Sequence, residues 1–181
     1  MFIVLEGIDG SGKSSLALLL SEKCGGVNYS TPPKKYKELR KKFKSELNIQ
    51  EHYEFYKKSV FEASVEISDM VSNGELVICD RYWFSTLVYH QAGGMIINWK
   101  EYSNLFQPDL IVFLLVSPEE QRKRSNERNT EGGNIEGKQS EITNLYLKTL
   151  INCKLPFIVI DTNNFNLEKC AEIIIAAISQ K

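Results

Sequence analysis

The chain has 181 residues, 43% hydrophobic and 25% charged, with a formal net charge of −1. That length suits one domain, residues 1–181, able to bury most of its apolar surface. The charge balance argues against a nucleic-acid or membrane-surface partner, and the longest apolar run, Leu110 to Val116, is too short to span a bilayer.

Only four apolar residues, Phe2-Ile3-Val4-Leu5, precede Glu6 and Asp9, which argues against a signal peptide. They lead straight into Gly7-x4-Gly12-Lys13-Ser14 and then a leucine-rich helical pattern. This strand, glycine turn and helix read as a phosphate-binding loop. Glycines let successive backbone N–H groups curl toward a polyphosphate, and the positive end of the helix dipole faces the same anion. Gly7, Gly10, Ser11, Gly12, Lys13, Ser14 and Ser15 are expected to line it, with Lys13 on the β- and γ-phosphates of ATP and Ser14 on Mg²⁺.

Gly25-Gly26 stops the first helix, and Val27 to Ser30 is a weaker strand candidate. Beyond Thr31-Pro32-Pro33, the stretch Lys34 to Lys44 is basic, with Glu38 its single acid. Most of these lysines suit a solvated helix face; Arg40, then Lys34, are the candidates for a substrate phosphate, because an arginine fork grips phosphate bidentately. Val60, Ala63, Ile67 and Val71 recur at helical spacing, and Asn73-Gly74 ends that helix.

Asp80-Arg81-Tyr82 follows the apolar run Leu76 to Cys79, at the strand end where an open α/β sheet presents its reactive groups. Asp80 can hold Mg²⁺ and Arg81 a phosphoryl oxygen; the alternative is an aspartate capping the next helix and ion-paired to Arg81. Ser117-Pro118-Glu119-Glu120 predicts a capping-box start to a helix that carries Arg122, Lys123, Arg124 and Arg128. The glycine-containing segment beyond it suits a lid over about 124–138, bringing arginines to a transferring phosphoryl group; the alternative is an ordinary exposed loop. Phe157 to Ile160 is another apolar run, and Leu167, Ala171, Ile174 and Ile178 give a last amphipathic helix. Continuous apolar runs alternating with helices predict an α/β fold: a doubly wound, five-stranded parallel sheet covered on both faces. Cys24, Cys79, Cys153 and Cys170 lack metal or redox spacing and read as reduced thiols of a cytoplasmic protein.

Phe2 to Ser15, Asp80-Arg81-Tyr82 with Ser85 and Tyr89, Pro108-Asp109-Leu110 and the Ser117 helix together resemble the thymidylate kinase family of P-loop nucleoside monophosphate kinases, over nearly the whole chain. Thr31-Pro32-Pro33, the segment Asp80 to Thr86 and Ser117 to Glu120 are also similar to its mitochondrial-type UMP/CMP kinase branch. The resemblance implies a homodimer that phosphorylates a pyrimidine nucleoside monophosphate, dTMP first, with ATP and Mg²⁺. It places Asp9 near the sugar 3′-hydroxyl, Arg81 on the acceptor phosphate, Tyr89 against sugar or base with Ser85 beside it, and Arg124 and Arg128 on ATP. Some family members have an arginine inside the phosphate loop where Gly10 stands, so Arg124 or Arg128 would supply that charge. Counting back from Asp80, Val60 occupies the place of a base-reading arginine and Tyr56 that of a stacking aromatic.

Without that arginine, (d)UMP or (d)CMP is an alternative acceptor, since a missing methyl separates substrates weakly. A deoxynucleoside kinase would need a carboxylate base, for which Glu6 or Asp9 is available. From a different class, a nucleotide-binding regulatory switch lacks an Asn-Lys-x-Asp guanine-reading motif here. His52 and His90 match no role in this scheme and suit structural positions.

Overall fold

A computed structural model describes residues 1–36, 38–39, 48–127 and 137–179. Five parallel strands, β1 (Phe2–Gly7), β2 (Val27–Ser30), β3 (Val77–Asp80), β4 (Leu110–Leu115) and β5 (Phe157–Asp161), form one sheet in the order β2-β3-β1-β4-β5. The weak candidate at Val27 is therefore a true strand, at the sheet edge. In the register, Leu5 pairs with Asp80 and Gly7 with Leu114, so the phosphate loop and the Asp80 turn leave the sheet side by side.

Six helices longer than one turn are described: α1 (Lys13–Cys24), α2 (Ile49–Ser72), α3 (Trp83–Ala92), α4 (Pro118–Glu127), α5 (Gln139–Cys153) and α6 (Leu167–Ile178). The pleat of β1 sorts the core. Phe2 and Val4 pack with Val60, Ala63 and Ile67 of α2, Phe84 and Leu87 of α3 and Tyr146 of α5. Ile3 and Leu5 face Leu16 and Leu20 of α1 and Cys170, Ala171 and Ile174 of α6. Because both faces are covered, the central strands carry apolar residues at consecutive positions.

Capping differs from the sequence reading in an instructive way. Ser117 Oγ accepts the Glu120 N–H at 3.2 Å, as expected, but the Glu120 carboxylate turns to Arg124 Nε at 2.9 Å, and the Ser117 N–H goes to Asn163 Oδ1. The reciprocal half of that capping box is therefore absent. A complete one starts α2: Asn48 Oδ1 accepts from the N–H groups of Gln50 and Glu51, and Glu51 Oε2 accepts from the Asn48 N–H at 3.2 Å. The longest described helix is thus anchored well before the apolar stripe that announced it.

The four cysteines are free thiols, Cys79 and Cys170 buried. His90 is a core histidine: its Nδ1 bonds the Thr86 carbonyl and its Nε2 meets His52 Nδ1 at 2.9 Å, while burial pushes its pKa down to about 4. Lys35, from the basic stretch, pairs with Glu62 and Glu66 of α2 at the surface.

Asn48→Ala removes the acceptor of the capping pair. The expected loss is about 1 kcal/mol, read as a fall in Tm of about 2 to 4 °C for a chain of this size. An unchanged melting curve would show that the cap contributes nothing.

Candidate active site

The turn after β1 is built by close approach. Gly7 has φ of 147°, and a Cβ there would lie 2.6 Å from the Leu114 carbonyl oxygen, so β4 leaves no space for a side chain. At Gly10 a Cβ would sit 3.0 Å from Gln121 Cγ of α4, a side chain pressed onto the loop. The absence of an arginine at this position therefore has a steric partner in α4. Helix α1 then begins at Lys13, with no acid in its first turn and no side-chain cap from Gly12, so its leading N–H groups suit an anion.

Lys13 folds back over this turn, donating to the Ile8 carbonyl at 2.7 Å and to Ser11 Oγ at 3.3 Å. Burial, helped by the positive charge of Arg81, pushes its pKa down to about 7. Beside it, Ser14 Oγ donates to Asp80 Oδ2 at 2.5 Å. Asp80 Oδ1 is buried and has no hydrogen-bond partner. A hydroxyl and an orphaned carboxylate oxygen side by side are a hard-oxygen pair that fits Mg²⁺ sharing its shell with phosphate and water.

Arg81 is the most constrained residue of the site. Its φ is 69°, a left-handed conformation that costs a non-glycine residue about 1 kcal/mol. Its backbone is held on every side: its N–H donates to the Leu5 carbonyl, and its carbonyl accepts from Thr31 Oγ1 at 3.0 Å and Cys79 Sγ at 2.9 Å. The next N–H, of Tyr82, donates to Glu6 Oε1 at 2.8 Å. This backbone sends the guanidinium toward the phosphate loop, where it donates to the Gly7 carbonyl, to Ser85 Oγ at 2.9 Å and to the Asp9 carboxylate. The side chain of Asp9 is 49% exposed and that of Arg81 18%, so Asp9 closes over Arg81 from the solvent side. Arg81 also lies over the Tyr89 ring, 5.3 Å from its centroid, and the buried Tyr89 hydroxyl makes no hydrogen bond of good geometry.

On the other side of the loop, Arg124 donates to the Gly10 carbonyl at 3.3 Å and to the carbonyl and hydroxyl of Thr162 at 2.8 and 3.2 Å. It ties α4 to the phosphate loop and to the end of β5.

Asp9, Ser14, Asp80, Arg81, Ser85 and Tyr89 thus meet Lys13 at one edge of the sheet, with Arg124 beyond Gly10. Ser15 is exposed in the first turn of α1. Tyr56 stands apart from the Arg81 group, packed among Phe55, His52 and His90, with the His52 ring 4.6 Å away. Val60 belongs to the apolar core. Arg40, Arg128 and most of the expected lid lie outside the described residues. Ser85 was expected beside the substrate, but its hydroxyl is engaged by protein, contacting Glu6 Oε2 at 2.6 Å, Tyr146 at 2.8 Å and Arg81. Glu6 does not supply a base facing the cleft: it is fully buried and accepts from Tyr82, Ser85 and Tyr146. Thr31, Gln121, Tyr146 and Thr162 support the site without any motif to announce them. Glu6 does carry a signal, a carboxylate inside an apolar strand.

The sequence profile described as thymidylate kinase matches residues 5–173. A probable thymidylate kinase from Methanococcus aeolicus is 31% identical over 99% of this chain and 96% of its own length. One from Staphylothermus marinus is 34% identical over 71% of this chain and 70% of its own. Among solved structures, thymidylate kinase from Candida albicans superposes with a TM-score of 0.80 at 23% identity, covering 98% of this chain and 90% of that one. Deoxyadenosine kinase from M. mycoides, solved with bound dATP, gives 0.69 at 18% identity, covering 99% of this chain and all of the other. These two likenesses speak for the fold.

A polyphosphate seated on Lys13 would restore its ammonium form. Because burial lowers the Lys13 pKa in the free protein, binding is expected to take up a proton, and affinity for a nucleoside triphosphate is expected to fall as the pH rises through the alkaline range. Calorimetry in buffers of different ionisation enthalpy reads this uptake directly. A flat affinity with no proton taken up would mean that Lys13 is already charged in the free protein.

Proposed function

The chain belongs to the thymidylate kinase family, and on that premise we propose how its site works as a nucleoside monophosphate kinase that phosphorylates dTMP to dTDP with ATP. The observation that carries the mechanism is a convergence. Lys13 and Arg81 donate to the consecutive carbonyls of Ile8 and Gly7, so a basic group for each of two phosphates lies against the same short loop.

The donor triphosphate lies along the turn Gly7 to Ser15, with Lys13 on its outer phosphates. The acceptor phosphate takes the place of the Asp9 carboxylate on Arg81, Asp9 turns to the sugar, and Tyr89 lines the same pocket. An oxygen of the acceptor phosphate attacks the γ-phosphorus, the bridging bond to the β-phosphate breaks, and ADP leaves. The attacking oxygen is already ionised, so no side chain need act as base, and the work is alignment and charge neutralisation. Mg²⁺, held by Ser14 and Asp80, would neutralise charge on the phosphates of ATP. Arg124, and Arg128 outside the described residues, are assigned to the donor side.

The engagement of Glu6 by protein donors removes one of the two carboxylates that a deoxynucleoside kinase could use to deprotonate a hydroxyl; the other, Asp9, is ion-paired with Arg81. With no arginine at the place of Val60, (d)UMP and (d)CMP are kept as secondary acceptors. A homodimer is also proposed from the family resemblance; Phe61 and Val65, exposed four residues apart on α2, offer it an apolar stripe. A cytoplasmic location is proposed with it, supported by the free thiols. No helix among the described residues is long and apolar enough to cross a membrane.

A coupled assay over the common nucleoside monophosphates should give dTMP the highest kcat/KM, with AMP and GMP at least tenfold lower; equal turnover of the purines would reject the assignment. Lys13→Ala is expected to keep the fold and lower kcat by about 10²- to 10³-fold, the scale of removing a group that stabilises developing charge. Asp80→Asn should raise the Mg²⁺ needed for half-maximal rate, and an unchanged requirement would remove Asp80 from the metal site.

A further inference from the structure

Glu6 is a carboxylate in the central strand of the sheet, completely buried. The pleat points it to the face of Phe2 and Val4, where α3 and α5 pack. An unpaired charge there would be costly, yet its partners are specific. Oε1 takes the N–H of Tyr82 at 2.8 Å and, more distantly, that of Ser85 at 3.4 Å. These N–H groups belong to the first turn of α3, which has no side-chain cap of its own at Tyr82. Oε2 takes the Ser85 hydroxyl at 2.6 Å and lies 3.1 Å from the Tyr146 hydroxyl. Since the proton of Ser85 is spent on Glu6, its oxygen is turned as an acceptor toward Arg81.

We infer that Glu6 is a positioning residue for the acceptor phosphate: through Tyr82 N–H it fixes the left-handed backbone of Arg81, and through Ser85 Oγ it aims the guanidinium into the cleft. This rests on the reading of Arg81 as the acceptor-phosphate ligand. It adds that the aim of Arg81 survives the departure of Asp9. Asp9 holds the guanidinium from the solvent side and leaves when phosphate arrives, whereas Ser85 and Glu6 hold it from behind and stay.

Glu6→Gln tests the direction of this relay. The glutamine oxygen can still accept from Tyr82, but its amide donates toward Ser85 Oγ, so the serine proton turns to the Tyr146 hydroxyl and the serine oxygen must serve two donors, the new amide and Arg81. KM for dTMP should rise by about tenfold or more, while KM for ATP changes less than twofold and the circular dichroism is unchanged. Arg81→Ala and the double variant complete a cycle. If Glu6 works through Arg81, adding Glu6→Gln to Arg81→Ala changes KM for dTMP less than twofold. If Arg81→Ala raises KM for dTMP while Glu6→Gln does not, or if the two effects multiply, the positioning role is overturned and the assignment of Arg81 stands. If Arg81→Ala leaves KM for dTMP unchanged, that assignment falls and the inference falls with it. Should Glu6→Gln not fold, Tyr146→Phe removes one donor from the same cluster. It is expected to raise KM for dTMP by a smaller factor, again without effect in the Arg81→Ala background, and a multiplicative result would overturn the inference.

Discussion

Two basic side chains, Lys13 and Arg81, held against neighbouring carbonyls of one tight turn impose the electrostatic condition on which this site is built. Lys13 and Arg81 repel each other, and burial disfavours the charge on Lys13, while Asp80, Asp9 and Glu6 oppose both effects. Without ligand the compromise leaves Lys13 with a strongly lowered pKa. Phosphate groups would add to the negative charge that Asp80, Asp9 and Glu6 already bring to this edge. The turn can hold the cations so close only because β1 and β4 approach until Gly7 touches the Leu114 carbonyl, which makes sheet packing and phosphate binding one requirement.

The sheet was legible because burial on both faces writes continuous apolar runs into the sequence, and the phosphate loop because glycine, lysine and serine must stand at fixed spacing. Asp80 and Arg81 were legible from their place at a strand end. What the sequence withheld has a common cause: it depends on contacts between distant residues. Nothing local in Thr31 or Tyr146 says that one holds the Arg81 carbonyl and the other the Glu6 cluster. Nor does Gln121 announce that it covers Gly10. The capping box at Asn48 was written in the chain but overshadowed by the stronger apolar stripe further along α2. At Ser117 the box pattern was present, yet Glu120 found a better partner in Arg124, a charge-assisted contact one helical turn away.

Glu6 illustrates how a strand can carry a buried carboxyl group, whose pKa burial raises, by surrounding it with donors. Its cost is offset because its donors, the first turn of α3 and two hydroxyls, would themselves be short of acceptors without it. The carboxylate therefore caps a helix from outside that helix. It also links β1, α3 and α5, the three elements that enclose the proposed acceptor side.

The half-exposed Asp9 closing over the sheltered Arg81 means that an internal carboxylate holds the seat proposed for the acceptor phosphate. An incomer must outcompete a tethered monoanion. A dianionic phosphate monoester can do so, whereas an uncharged nucleoside has nothing with which to displace Asp9. The pair thus sorts candidate guests by how much negative charge they bring, before sugar or base is inspected.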